Sequence, residues 1–132
     1  MFSGCSSLTY VNFNSSYKNK ITYMNSLFSG CSSLISIDFN NFNTEKVIDM
    51  SKMFYNCFSI TYLNLNSFNT SKVKNMDEMF YGCSNLVNLY IPNFVQDSLL
   101  SYNDMFKFIN SSIMVYTNNE FYKNLSNLAK NQ

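Results

Sequence analysis

The chain has 132 residues, with 9 lysines, no arginine, 8 acids and no histidine, for a formal net charge of +1. Near-neutrality leaves no electrostatic footprint for nucleic acid or an anionic membrane, and the lack of histidine removes Ser-His and Cys-His nucleophiles. Apolar residues make up 46%, including 13 Phe and 10 Tyr, which supports a packed core and argues against disorder.

No stretch reaches the roughly 18 to 20 uninterrupted apolar residues of a membrane span, and the start of the chain lacks the basic-then-apolar layout of a signal peptide. Asparagine is abundant while Gly, Pro, Ala and Arg are scarce, the pattern of an AT-rich coding sequence. The four Asn-x-Ser/Thr triplets, at Asn14, Asn69, Asn110 and Asn124, therefore match chance and are no evidence for glycosylation.

From Met1 the chain writes itself in gapless lines of 26 residues, 1–26, 27–52, 53–78 and 79–104, followed by a degenerate fifth line and cap over 105–132. Along each line the same columns are apolar. They begin with Met1, Leu27, Met53 and Met79, then Phe2, Phe28, Phe54 and Phe80, then Cys5, Cys31, Cys57 and Cys83. Leu8, Leu34, Ile60 and Leu86 come next, then Val11, Ile37, Leu63 and Leu89, then Phe13, Phe39, Leu65 and Ile91. The column of Phe42, Phe68 and Phe94 starts with Ser16, its one polar member. Ile21, Val47, Val73 and Leu99, then Met24, Met50, Met76 and Tyr102, complete the set. Every line must bury the same face against its neighbours, which is the logic of a solenoid.

The alternation in Tyr62-Leu63-Asn64-Leu65 predicts a short strand. Positions 21, 24, 27/28 and 31 of the repeat, as in Val47, Met50, Met53, Phe54 and Cys57, fall at steps of three and four, which predicts a short helix in each repeat. Asn43-Thr44-Glu45 and Asn69-Thr70-Ser71 stand where such helices need caps. Neighbouring coils would then pair their strands as one parallel sheet with helices opposite. In line five Ile109 replaces the cysteine, while Ile113 and Val115 still offer a strand. Phe121, Leu125 and Leu128, at i, i+4 and i+7 after Asn118-Asn119, predict a terminal amphipathic helix that shields the last coil.

The cysteines recur every 26 residues without histidine, which does not fit the close ligand pairs of zinc, and no metal or cofactor is expected. Equivalent side chains stay near the strand spacing of about 4.8 Å instead of closing to the roughly 3.8 Å of a bridge, so a reduced, buried ladder is favoured over disulfides. Asp77-Glu78 reads as a solvated polar face, and no glycine-rich phosphate loop exists. The lysine column Lys20, Lys46 and Lys72 reads as a solvated edge. Catalysis is not expected.

The phrase Ile60-Thr-Tyr-Leu63-Asn-Leu65 matches the strand half of a leucine-rich repeat. The longer phrase from Cys31-Ser-Ser-Leu34 through Ile37-Asp38-Phe39 and Phe42-Asn-Thr-Glu-Lys46-Val47 to Met50-Ser-Lys-Met53-Phe54 resembles the 26-residue repeat of BspA-like surface proteins. This resemblance covers residues 1–104, and the closing phrases Leu89-Tyr-Ile-Pro92, Ile113-Met-Val115-Tyr116 and Phe121-Tyr122-Lys123 are similar to the family's array ends. It implies an α/β repeat, a right-handed leucine-rich-repeat-like solenoid with a parallel β-sheet on one face and short helices on the other. Cell-surface or extracellular location and adhesion to host or neighbouring-cell proteins are also implied. The chain departs from the usual pattern where Phe42, Phe68 and Phe94 stand in place of the Asn or Cys after the strand.

The expected binding face is the outward side of the strands, Tyr10, Asn12, Ser36, Asp38, Tyr62, Asn64, Asn88 and Tyr90. Tyrosine among small polar residues has the composition of antibody paratopes. Asn14, Asn40, Asn66 and Pro92 flank this face, and they can instead satisfy turn backbone. Its expected partner is a protein, with no nucleic acid and no membrane insertion. Met1 enters mid-phrase with Phe2 already a core residue, so further repeats upstream or self-association through this N-terminal edge are expected. An intracellular interaction scaffold on the same architecture is the alternative.

Overall fold

The computed structural model describes residues 1–13 and 20–130, so the readings at Asn14 and Ser16 lie outside the described residues. Five three-residue strands recur along it: β1 (Tyr10–Asn12), β2 (Ser36–Asp38), β3 (Tyr62–Asn64), β4 (Asn88–Tyr90) and β5 (Met114–Tyr116), followed by the helix α1 (Glu120–Lys130). All pairings are parallel and in one register, Val11 opposite Ile37, Leu63 opposite Leu89, Leu89 opposite Val115. The result is a small α/β structure with two parallel sheets, β1-β2 and β3-β4-β5, and one C-terminal helix. A single sheet was expected; among the described residues β2 and β3 are not hydrogen-bonded neighbours.

The short helices expected in each repeat do not form; among the described residues α1 is the one helix. A helix would spend its amides within the segment, whereas here alternate amides reach the next repeat and those between bond three residues back. Phe28 N–H donates to Met53 O at 2.9 Å, Phe54 N–H to Met79 O at 2.9 Å and Phe80 N–H to Met105 O at 2.9 Å. Two left-handed residues per repeat break any helix: Ser26, Lys52, Glu78 and Asp104, and four residues later Gly30, Asn56, Gly82 and Phe108. Steps of three and four thus serve stacked turns. Parallel bridges Tyr23–Asp49, Asp49–Asn75 and Asn75–Ser101 add a second ladder on that side.

The apolar columns do form the core, with Phe28, Phe54, Phe80, Met50, Met76, Cys57 and Leu86 fully buried. Phe2, Phe28, Phe54, Phe80 and Phe106 stack in file, with centroids 5.5, 5.8, 5.7 and 5.4 Å apart. Phe68 and Phe94, the departures from the leucine-rich pattern, are buried and stack at 6.5 Å. The expected caps prove to be ties. Thr44 and Thr70 are buried. Thr70 Oγ1 donates to Val95 O at 3.0 Å and accepts from Val95 N–H at 2.8 Å. Thr44 does the same with Asn69.

All four cysteines are free; Cys31, Cys57 and Cys83 are buried and Cys5 is exposed. Each buried thiol donates to the carbonyl of a phenylalanine one coil back, Cys57 to Phe28 at 3.2 Å and Cys83 to Phe54 at 3.1 Å. Burial, only partly offset by a hydrogen bond from the Cys57 backbone, pushes the Cys83 thiol up to about 12.

Helix α1 is present where the sequence predicts it, with Phe121 and Leu125 half-buried against the core. Its buried residues are Tyr122 and Ser126, while Leu128, expected to shield the core, is 66% exposed. Asn119 sets this orientation: its Oδ1 accepts Phe121 N–H at 2.9 Å as a helix cap, and its Nδ2 donates to Phe94 O at 3.2 Å. Tyr122 Oη donates to Val95 O at 2.8 Å, and burial pushes that phenol well above its ordinary range. Tyr102, placed by its column in the core, is exposed and meets Phe121 edge-on at 5.2 Å.

Candidate functional site

Strand alternation turns Leu63 and Leu89 into the core and leaves their neighbours outside. All eight residues expected at the binding face lie on this side. Tyr10, Asn12, Ser36 and Tyr62 are exposed; Asp38, Asn64, Asn88 and Tyr90 are half-buried.

Two of them also hold their own turns. Asp38 Oδ1 accepts Asn40 N–H at 2.9 Å and Asn64 Oδ1 accepts Asn66 N–H at 3.0 Å. These Asx turns aim the ends of β2 and β3. Asn40 and Asn66 therefore take part through their amides.

The structure brings Tyr62 and Tyr90 together diagonally across β3 and β4, centroids 5.3 Å apart, and continues the row to Tyr116 on β5, stacked on Tyr90 at 4.3 Å. Tyr116 Oη donates to Asn88 Oδ1 at 3.4 Å. Sequence reasoning missed Tyr116 because line five was read as a degenerate cap; its register with Tyr90 is unbroken. Desolvation, with the Tyr116 and Tyr62 phenols adding to it, raises the Tyr90 phenol above its ordinary value. Stacking holds the rings of the row in place, so ordering it on a partner costs little.

Two openings flank the row. One, of about 490 Å³, lies between Tyr90, Tyr116, Pro92 and Lys123 of α1. The other, of about 290 Å³, lies where β2 and β3 part, lined by Tyr10, Ser36, Asp38, Asn40, Tyr62 and Asn64. A third, of about 250 Å³, opens at the N-terminal edge among Met1, Phe2, Val11, Phe13, Leu27 and Phe42. On the turn side a second aromatic pair, Tyr55 and Tyr81, stacks at 4.8 Å.

Among the described residues no three Cys, Asp or Glu side chains converge into a possible metal site. No helix among them is long and apolar enough to cross a membrane.

One family model, described as Mycoplasma protein of unknown function, DUF285, matches residues 1–127. No curated protein and no solved structure matches the chain.

Proposed function

We propose that this chain, which belongs to the DUF285 family, is a non-catalytic binding module of a cell-surface protein that recognises another protein through its strand face. The observation that carries the reading is the row Tyr62–Tyr90–Tyr116, an exposed aromatic file set among asparagines on a short-stranded sheet. Rigid aromatic area beside adaptable amides is how paratopes bind at low entropic cost.

The finer architecture belongs to the same proposal: a right-handed, leucine-rich-repeat-like solenoid of BspA-like type, built from four 26-residue repeats and a closing fifth. The constant strand register and the five-ring phenylalanine file support it. Surface location and adhesion rest on the resemblance of the repeat phrase. The intracellular scaffold is the second reading, favoured by four free thiols, which suit a reducing compartment.

The test is crosslinked capture of partners by the whole chain, comparing Tyr62→Ala with Tyr90→Ala on the strand face and Tyr55→Ala with Tyr81→Ala on the turn face. Each strand-face change is expected to weaken capture by about fivefold or more, with turn-face changes neutral. Equal effects from both faces would overturn the assignment.

A further inference from the structure

The parting of β2 from β3 is local to the strand side. The turn-side ladder crosses the same junction unbroken, Asp49 bridging Asn75 and Met50 N–H donating to Asn75 O at 2.9 Å. The phenylalanine file also continues through it, Phe28 to Phe54 at 5.8 Å. Repeats two and three are thus held together at the back and the core and separated at the front, where the opening of about 290 Å³ lies.

Its walls have a definite chemistry. Tyr10 and Tyr62 stand in the same column on β1 and β3, and between them β2 carries only the small Ser36. Both rings line the one opening, so a cation seated there can approach their faces, the arrangement of a cation–π contact with its roughly 6 Å reach. Among the described residues the one charged side chain lining the opening is Asp38. Its Oδ1 is engaged by Asn40 N–H, which orients the carboxylate and leaves Oδ2 to an incoming donor. Two aromatic walls with one carboxylate repel an anion and suit a cation.

We propose that the opening over β2, walled by Tyr10 on β1 and Tyr62 on β3, is a subsite for a cationic side chain, an arginine or lysine presented by the partner and countered by Asp38. This rests on the strand face being the protein-binding surface, and it adds the charge the partner must bring. A guanidinium suits the walls best, because it stacks on rings and is weakly hydrated.

The experiment titrates the whole chain with N-acetyl-arginine methylamide and follows amide and ring resonances by NMR. N-acetyl-glutamate methylamide and methyl glucoside serve as the anionic and neutral comparisons. Saturable shifts at Tyr10, Asp38, Asn40 and Tyr62 are expected from the arginine probe alone, weakening as salt rises. Asp38→Asn keeps the oxygen that Asn40 needs and should weaken the probe about fivefold. Tyr10→Leu should weaken it about two- to fivefold, whereas Tyr10→Phe, which keeps the ring, should not.

Equal shifts from the glutamate probe or the glucoside, or unchanged affinity in Asp38→Asn, would overturn the subsite. If the arginine probe fails while Tyr62 and Tyr90 still govern partner capture, the subsite falls and the strand-face reading stands. Capture indifferent to Tyr62 and Tyr90 would overturn both, since Tyr62 is a wall of the subsite as well as part of the row.

Discussion

The carbonyl of Val95 is a knot between the fourth repeat and the cap, and it permits a double-mutant cycle. It accepts from Thr70 Oγ1 at 3.0 Å and from Tyr122 Oη at 2.8 Å, while Val95 N–H has Thr70 Oγ1 as its acceptor at 2.8 Å. Thr70→Val keeps the shape, orphans the amide and leaves the carbonyl with Tyr122, at a cost of about 1–3 kcal/mol. Tyr122→Phe removes one of two donors from a carbonyl that keeps Thr70, and costs about 1 kcal/mol. In the double variant the carbonyl loses both side-chain donors, so the loss should exceed the two single losses combined by roughly 1 kcal/mol or more. Urea unfolding followed by circular dichroism reads all four proteins, with unchanged m values as the condition for comparing them. Additivity within about 0.5 kcal/mol would refute a shared acceptor and show that Thr70 and Tyr122 act independently.

Gly30 and Gly82 occupy one column at φ 75° and 73°, but an added Cβ meets only the Gly4 backbone, at 3.7 Å, in the first case and collides with Asn56 Oδ1 in the second. Gly30→Ala should cost about 1–2 kcal/mol of left-handed strain and Gly82→Ala clearly more, measured by thermal unfolding; the reverse order would sink the packing argument. Ellman's reagent should titrate Cys5 alone in the folded chain and all four thiols after unfolding, since the other three are buried and unbridged. Burial raises the Cys83 thiol from 9.0 to about 12, so the folded chain keeps a proton that the unfolded chain releases. Stability should therefore be intact below about pH 9 and fall from there toward pH 12, with Tyr122, also raised by burial, adding to the loss above about pH 10. A flat urea midpoint from pH 8 to 11 would contradict this.

Strands and core were legible because burial leaves a period in the residues themselves: Leu63 and Leu65 alternate, and Phe28, Phe54 and Phe80 recur. The helix expectation over Val47–Cys57 failed because steps of three and four describe any tight right-handed turning that buries one face; they do not say where the amides bond. The available signal was the column Gly4, Gly30 and Gly82, with Asn56 in the remaining place, all at positive φ. A left-handed residue there in every repeat is incompatible with a continuing helix. On α1 the expected face packs against the core at Phe121 and Leu125 but not at Leu128, while Tyr122, outside that face, is the fully buried aromatic. Tyr122 wins by placing its hydroxyl on Val95 O, a tertiary contact that no local pattern encodes. On the strand face the eight residues were placed on the correct side, but adjacency was not foreseen. Tyr62 and Tyr90 meet diagonally, and the β2–β3 parting depends on how successive coils settle against each other.

The phenylalanine file bears on how such a chain can change over generations. Phe2, Phe28, Phe54, Phe80 and Phe106 sit 26 residues apart and stack at nearly constant distance. One residue gained or lost inside a coil would move a ring out of file and carry a cysteine and a threonine tie with it. Duplicating or deleting a whole 26-residue unit would return every ring, thiol and hydroxyl to an equivalent partner. The tolerated step in this gene is thus an in-frame segment of one full repeat, and length variants should differ by whole repeats, each adding or removing one strand.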